Sequence, residues 1–393
     1  MSANKLLLVV LIFVVATAAW RVLGETIETR TSSAHDELGQ DVDRMFGPEL
    51  VQDAPVITPV DDEGAARGPD VTDIACRFEH ENRYRGLIWF SVFRVDFRAT
   101  YLVHPSPAGR ARFELRLPER ANIDELVARA GDRELAVADG VITGELDLAG
   151  EAPVEVLVSY ASTGQDSWRY APQGKDLRHF RLTATTNFSA IDYPSSGLSP
   201  TQRATDAGNG GKQAVWRYER LLPAQNRVIG ILMPARPSAG ALAARISEFA
   251  PVSLFFFFTV MITIQLLRNL RLHPINYLLI AAGFFAFHIL LAYLVDHLTI
   301  HVAFWVSAAI SVFLVVSYLR LMLGMKTAIL FAGAAQMIYL VFFSYAFFWR
   351  GWTGLTVVLG AILTLFVIMQ LTGRIDWNAR FPDRARRPAV EPA

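Results

Sequence analysis

The chain has a single cysteine, Cys76, among 393 residues. One thiol excludes any internal disulfide, so a folded extracytoplasmic region must hold together through its core. A small buried side chain is the expected role for Cys76, ahead of an intermolecular bridge. Charge is also scarce: 19% of residues are charged against 52% hydrophobic, more apolar than a soluble protein of ordinary composition. The 37 basic residues balance 37 acidic ones, which leaves no basic excess and no nucleic-acid partner in prospect. Acids are almost absent from the C-terminal third until its tail. Also missing are a nucleophile elbow, a zinc-protease motif and a kinase signature. Gly208-Asn209-Gly210-Gly211-Lys212 lacks the spacing and the hydroxyl residue of a phosphate loop, and reads as a turn.

What the chain does have is long apolar runs. A spanning helix needs about 20 mostly apolar residues. Leu6 to Leu23, Ala250 to Leu267, Ile275 to Val295, His301 to Leu319, Thr327 to Trp349 and Gly354 to Leu371 meet or approach that length. Helices are the expected form, because lipid cannot satisfy an open backbone, and the runs do not alternate as barrel strands do. Basic residues set the orientation. Lys5, Arg268, Arg271, Arg320, Lys326 and the tail arginines Arg374, Arg380, Arg384, Arg386 and Arg387 fall on one side. The opposite short loops hold Arg350 alone. The expectation is a multi-pass inner (plasma) membrane protein with both termini cytoplasmic and the large domain periplasmic. Lys5, the apolar run and Ala16-Thr17-Ala18 also fit a secretory signal. The run continues to Trp20 and Leu23, which favours a retained anchor.

Five segments are therefore expected: an N-terminal anchor at 1–24, a juxtamembrane helix and linker at 25–73, an extracytoplasmic β-rich domain at 74–247, a five-helix bundle at 248–372 and a basic cytoplasmic tail at 373–393. Period-two patterning carries the β assignment. Phe93, Val95, Phe97, Ala99, Tyr101 and Val103 alternate with mostly polar neighbours, as do Val154, Val156, Val158 and Tyr160. Asp139-Gly140 between short apolar runs predicts a hairpin. Ile123 to Ala130 is compatible with a short helix, and Ser195 to Gly211 with a long loop. The fold class expected is a membrane α-helical bundle plus a large all-β, β-sandwich-like domain.

Few residues are placed to carry chemistry. Asp296, His297 and His301 gather at one outer loop; they read either as metal or proton ligands or, preferably, as polar groups at a water interface. His288 lies inside a span, where an ionisable group is a functional candidate by default. A neutral imidazole bonded to a neighbouring helix is the preferred reading, and Gln336 is a second interhelical hydrogen-bond candidate. His273 precedes Pro274, which suits a first helical turn. Arg374 and Trp377 suit an anchor at the exit of the last span, with Asp376 pairing a nearby arginine. No cofactor and no catalytic or metal residue is expected.

The stretches His273-Pro274-Ile275-Asn276-Tyr277, Asp296-His297, Tyr318 before a basic loop, and Thr372-Gly373-Arg374-Ile375-Asp376-Trp377 occur in order across the C-terminal third. In them the chain resembles the CreD family of bacterial inner-membrane proteins, described as cell-envelope integrity or colicin-tolerance proteins. Phe46-Gly47, Gln52, Pro55-Val56-Ile57-Thr58-Pro59 and Thr185-Thr186-Asn187-Phe188 with Pro194 are similar to the family more loosely, as in a divergent member. The resemblance implies a non-enzymatic role in envelope integrity or stress response, with the bilayer as partner and further protein partners unspecified. Two alternatives stand beside it: a transporter or lipid-handling protein whose outer β-domain collects a ligand, and a membrane enzyme using Asp296 and His297.

Overall fold

The computed structural model describes residues 3–60, 65–85, 88–105, 109–173, 176–208, 210–221, 227–236, 238–267, 272–349 and 351–373. The chain divides into two compact units, one formed by the residues up to Ser33 together with those from Ser238 onward, the other by Ala34–Pro237. Helix α1, Ala3–Phe46, runs through the first division.

The helical unit continues with α2 (Ala239–Glu248), α3 (Ala250–Leu267), α4 (Pro274–Leu294) and α5 (Ile300–Leu323). A π-rich helix follows, with π turns at Ala328–Gly333 and Met337–Phe342 and a closing 3-10 turn at Ala346–Phe348. The C-terminal helix is Thr353–Thr372. Among the described residues six helices are long and apolar enough to cross a membrane, by length and composition. The apolar runs located the last five to within a few residues, whereas the first helix continues past its apolar run at Leu23 to Phe46. Helix α2 was not foreseen. Its Ala-rich run is started by Ser238, whose side chain accepts a hydrogen bond from the Ala241 N–H. Small residues set the closest helix approaches. A Cβ at Gly283 would lie 2.5 Å from Val315 Cγ2, and one at Gly240 would lie 2.2 Å from Thr31 Oγ1.

The second unit is β-sheet-rich. In chain order its strands are β1 (Leu50–Asp53), β2 (Val56–Pro59), β3 (Val71–Arg85), β4 (Ile88–Val103), β5 (Arg110–Arg116), β6 (Asn122–Ala130), β7 (Arg133–Glu134), β8 (Ala136–Ala138), β9 (Val141–Asp147), β10 (Val154–Gln165), β11 (Ser167–Ala171), β12 (Leu177–Thr186), β13 (Thr205–Gly208), β14 (Gly211–Leu221) and β15 (Ile229–Leu232). An eight-stranded sheet runs β13-β14-β12-β3-β4-β10-β6-β7; the others are β1-β11-β15 and β2-β5-β9-β8. Pairing is antiparallel except for β3 with β12 and β1 with β11, which are parallel. The core alternates as the sequence predicts: Phe93, Val95, Phe97, Ala99, Tyr101 and Val103 of β4 are all buried. Cys76 sits among them, and burial pushes its thiol well up, so it behaves as a small apolar side chain.

Several local expectations change. Residues 122–130 form strand β6, not a helix. The edge of β10 needs partners for its backbone groups, and Asn122 to Ala130 supplies them with a bulge near Glu125 (φ 54°). The Pro- and acid-rich stretch read as a linker contains β2, which pairs Ile57 with Phe113. Asp139 and Gly140 both have positive φ, the signature of the primed turn expected between β8 and β9. Within 195–211, β13 pairs with β14. The Trp216 indole N–H donates to the Leu198 carbonyl at 2.7 Å. The Gly208-to-Lys212 segment is therefore a hairpin connection rather than an anion cradle; Asn209 lies outside the described residues.

Candidate functional site

In the helical unit the candidate polar residues are held by packing. His273 caps α4: it has extended backbone, its Nδ1 accepts from the Ile275 N–H, and Pro274 occupies the first turn. Tyr277 donates to Gln265 Oε1 at 2.7 Å, and Tyr318 donates to Asn276 Oδ1 at 2.9 Å. Gln336 is fully buried and donates to Ser311 Oγ at 3.0 Å, while Ser311 donates to the Gly283 carbonyl at 2.7 Å. This chain joins the π-rich helix to α5 and α4. Ser253 donates to the Tyr339 carbonyl, and the Tyr339 hydroxyl accepts from Thr364 at 3.0 Å.

His288 is fully buried, but its bonding differs from expectation. Nδ1 lies 2.9 Å from the carbonyl of Phe284 in its own helix, and no neighbouring helix supplies a partner among the described residues. The physical reason is the close apolar surround. Trp20 stands edge-on at 5.5 Å and Phe287 at 4.8 Å, so the i−4 carbonyl is the available acceptor. Nε2 of His288 and Nε1 of Trp20 have no hydrogen-bond partner among the described residues.

The Asp296, His297 and His301 grouping does not form a ligand cluster. Asp296 turns to Arg30 of α1, with Oδ2 3.1 Å from the guanidinium. Arg30 also donates to the Ala292 carbonyl at 2.7 Å and lies over the Tyr293 ring. His301 stacks on Phe348 at 4.9 Å, and His297 is exposed. Among the described residues no three His, Cys, Asp or Glu side chains gather to hold a metal. The reason is local: after α4 ends, Asp296 faces Arg30 of α1, while His301 lies in the first turn of the next helix. Arg374, Asp376 and Trp377 lie outside the described residues.

Trp20 and Arg30 were not singled out from the sequence, although a signal was there. Trp20, Gly24, Ile27, Arg30 and Thr31 recur at helical spacing along one face of α1. Trp20, Gly24 and Ile27 are buried there. The polar half of α1 concealed the face, because attention to apolar length alone ends at Leu23.

The β-rich unit contains a cleft of about 710 Å³. Its walls include His35, Asp43, Phe90, Arg120, Gln165 and Asp166. His35 stacks on Phe90 at 5.1 Å. Buried Gln165 donates to Asp43 and to the Gly47 carbonyl. Gly47 ends α1 with φ 86°, and its N–H returns to the Asp43 carbonyl, an αL cap. Partial burial raises the Asp166 carboxyl above the ordinary range; Glu49 and Asp43 push the same way and His35 opposes. Asp166 also has φ 57°, a conformation Asn tolerates well. Replacing it should therefore be clean. In the wild type the folded state holds this proton to higher pH than the unfolded state does. Stability is lost as pH rises from the unfolded carboxylate value, about 3.9, through the raised folded value. Asp166→Asn should unfold at higher temperature than wild type at pH 7, with the gain vanishing below about pH 3.9. A constant difference across that range would show that the carboxyl is not strained in the fold.

The residues of the looser N-terminal resemblance have structural duties. Gln52 is fully buried, donates to the carbonyls of Asp53 and Arg116 at 2.9 Å, and accepts from the Tyr160 hydroxyl at 2.7 Å. The Asn187 side chain accepts from the His80 N–H and donates to its carbonyl, standing in for a paired strand residue. His80 Nε2 lies 3.0 Å from Ser91 Oγ. Burial holds His80 below its ordinary range, helped by Arg236 and opposed by Glu81.

Residues 213–378 match the family described as inner membrane protein CreD. No curated protein matches the chain. Among solved structures, a Legionella pneumophila protein provisionally described as a nutrient binding protein is similar at 8% identity, over 52% of this chain and 79% of its own, with a TM-score of 0.33. That likeness is too slight to bear on function. The match runs from β14 through the C-terminal helix, in the region that carries the capped His273-Pro274 turn and the Asp296 loop, so the C-terminal part of the chain is similar to the CreD family of inner membrane proteins.

Proposed function

We propose that this protein contributes to cell-envelope integrity or stress response as a multi-pass inner-membrane protein without catalysis. In this reading both termini are cytoplasmic and the β-rich unit, a β-sandwich-like domain, is periplasmic. The observation that carries it is the state of His288 and Gln336. Both are fully buried and packed, one bonded within its own helix and the other to Ser311, rather than lining a wet path. Polar groups spent on helix packing favour a scaffold over a pump. The Arg30–Asp296 pair also leaves Asp296 without a free role as an acid or base.

Two experiments test the proposal. A deletion strain should become more or less sensitive to detergents, antibiotics or envelope toxins, and an unchanged profile counts against the role. Reporter fusions should place Gly150 outside and Arg271, Lys326 and Arg384 inside; a cytoplasmic signal at Gly150 overturns the topology. The cleft of about 710 Å³ supports a second reading, a ligand-collecting outer domain. That reading requires a small molecule to co-purify with the β-rich unit and to be lost on filling the cleft.

A further inference from the structure

In the helical unit a groove of about 700 Å³ runs between α5 and the π-rich helix. Phe313, Val316, Ile329, Gly333 and Met337 line it, and Arg320 stands among them, the one charged group of its lining among the described residues. The groove exists because the two helices meet at a glycine: a Cβ on Gly333 would lie 3.4 Å from Val316 Cγ2, so a larger residue would fill the floor. The π turn Ala328–Gly333 forms the facing wall, and π turns are frequent at functional positions. Phe313 and Ile329 are largely exposed, as side chains facing hydrocarbon would be. The Ser317 hydroxyl is spent on the Leu314 carbonyl, leaving Arg320 as the polar group free to recognise an occupant.

We propose that this groove binds one anionic diacyl phospholipid, its acyl chain along Phe313, Val316 and Ile329 and its phosphate at Arg320. Charge decides the occupant. From His297 to Ile375 the sequence contains no Asp or Glu, and Arg320 pairs with no acid among the described residues. A helix from the same stretch of a second copy, laid in the groove, would cover that guanidinium with nothing to neutralise it, at the cost of an uncompensated charge. A phosphate neutralises it and matches its planar fork. Arg320 lies in the last turn of α5, with Lys326 just beyond, so a headgroup there sits at the level where basic residues attract anionic lipid. The inference rests on the membrane-spanning reading above.

The test is native mass spectrometry of the full chain, delipidated in detergent and titrated with phosphatidylglycerol or phosphatidylcholine. The wild type should take up one phosphatidylglycerol with roughly fivefold preference, the scale set by one arginine at a headgroup. Arg320→Gln should abolish the preference while leaving weak uptake of both lipids. Arg320→Lys should retain part of it. Gly333→Leu, and independently Ile329→Trp from the facing wall, should reduce uptake of both lipids without changing the unfolding temperature in detergent. An unchanged preference in Arg320→Gln overturns the proposal. So does undiminished uptake in both filled variants, or a dimer that forms in place of the lipid adduct. Release of the chain from membranes by carbonate washing would sink the spanning reading itself, a result separate from any lipid preference.

Discussion

A fragment comprising residues 34–237 should fold by itself, with β-type circular dichroism and one cooperative unfolding transition, whereas a fragment beginning at Asp70 and ending at Arg236 should not. The period-two strands from Val71 onward suggest that the shorter piece is sufficient. The packing says otherwise. Leu50 and Ile57 are fully buried in the core of the β-rich unit, and Ala54 lies with them. β1 pairs with β11 and β2 with β5, so removing them strips an edge from two of the three sheets. Losing Leu50 and Ile57 costs roughly 2–5 kcal/mol each. Losing Gln52 leaves the Tyr160 hydroxyl and the Arg116 carbonyl without their partner, about 1–3 kcal/mol more. Together these approach or exceed the ~5–15 kcal/mol that holds a domain of ordinary stability. The helical stretch from Ala34 belongs in the fragment as well, since Ala34, Leu38, Val42 and Phe46 pack with Ile88, Phe90 and Val92. A cooperative transition in 70–236 with the same midpoint as in 34–237 would show that β1 and β2 are dispensable.

Trp20→Ala should be the most damaging single substitution in the first helix. Trp20 is fully buried against Phe285 and His288, and Val9 of the same helix is buried in the same cluster. Truncation leaves a cavity costing about 3 kcal/mol, the low end for a buried tryptophan, because lipid removes the aqueous transfer contribution. Thermal unfolding in detergent measures it. Trp20→Phe should be much milder, since it also deletes an indole N–H that has no partner among the described residues. The same packing bears on the secretory-signal alternative. A cut after Ala18 would detach Val9, Phe13 and Ala16 from the helical cluster, so the mature chain should keep its first helix, and its intact mass should include residues 1–18. A mature chain starting near Ala19, together with an unaffected Trp20→Ala variant, would establish cleavage.

Some of this protein is legible from one sequence because it depends on local chemistry. Hydrocarbon requires uninterrupted apolar length, so the last five long helices and the apolar half of the first follow from the apolar runs alone. Strand alternation on β4 and the Asp139-Gly140 turn are likewise local, set by side-chain period and by backbone conformation. His273-Pro274 announces the start of α4 for the same reason. Other features depend on which surfaces meet. Residues 122–130 contain acids and alanine compatible with a helix, but the open edge of β10 makes them a strand. Asp296 resembles a ligand beside two histidines until α1 brings Arg30 to it, more than 260 residues away in the chain. Gln52 is one polar residue in a short motif until two partners from distant strands, the Arg116 carbonyl and the Tyr160 hydroxyl, close around it. Sequence by itself determined the apolar lengths, the periodicity and the likeness of the C-terminal part to a known family, because these are properties of neighbours along the chain. Tertiary structure alone decided the partners of Trp20, Arg30, Gln52 and Gln336, because a buried polar or aromatic group is satisfied by whatever the fold brings within reach.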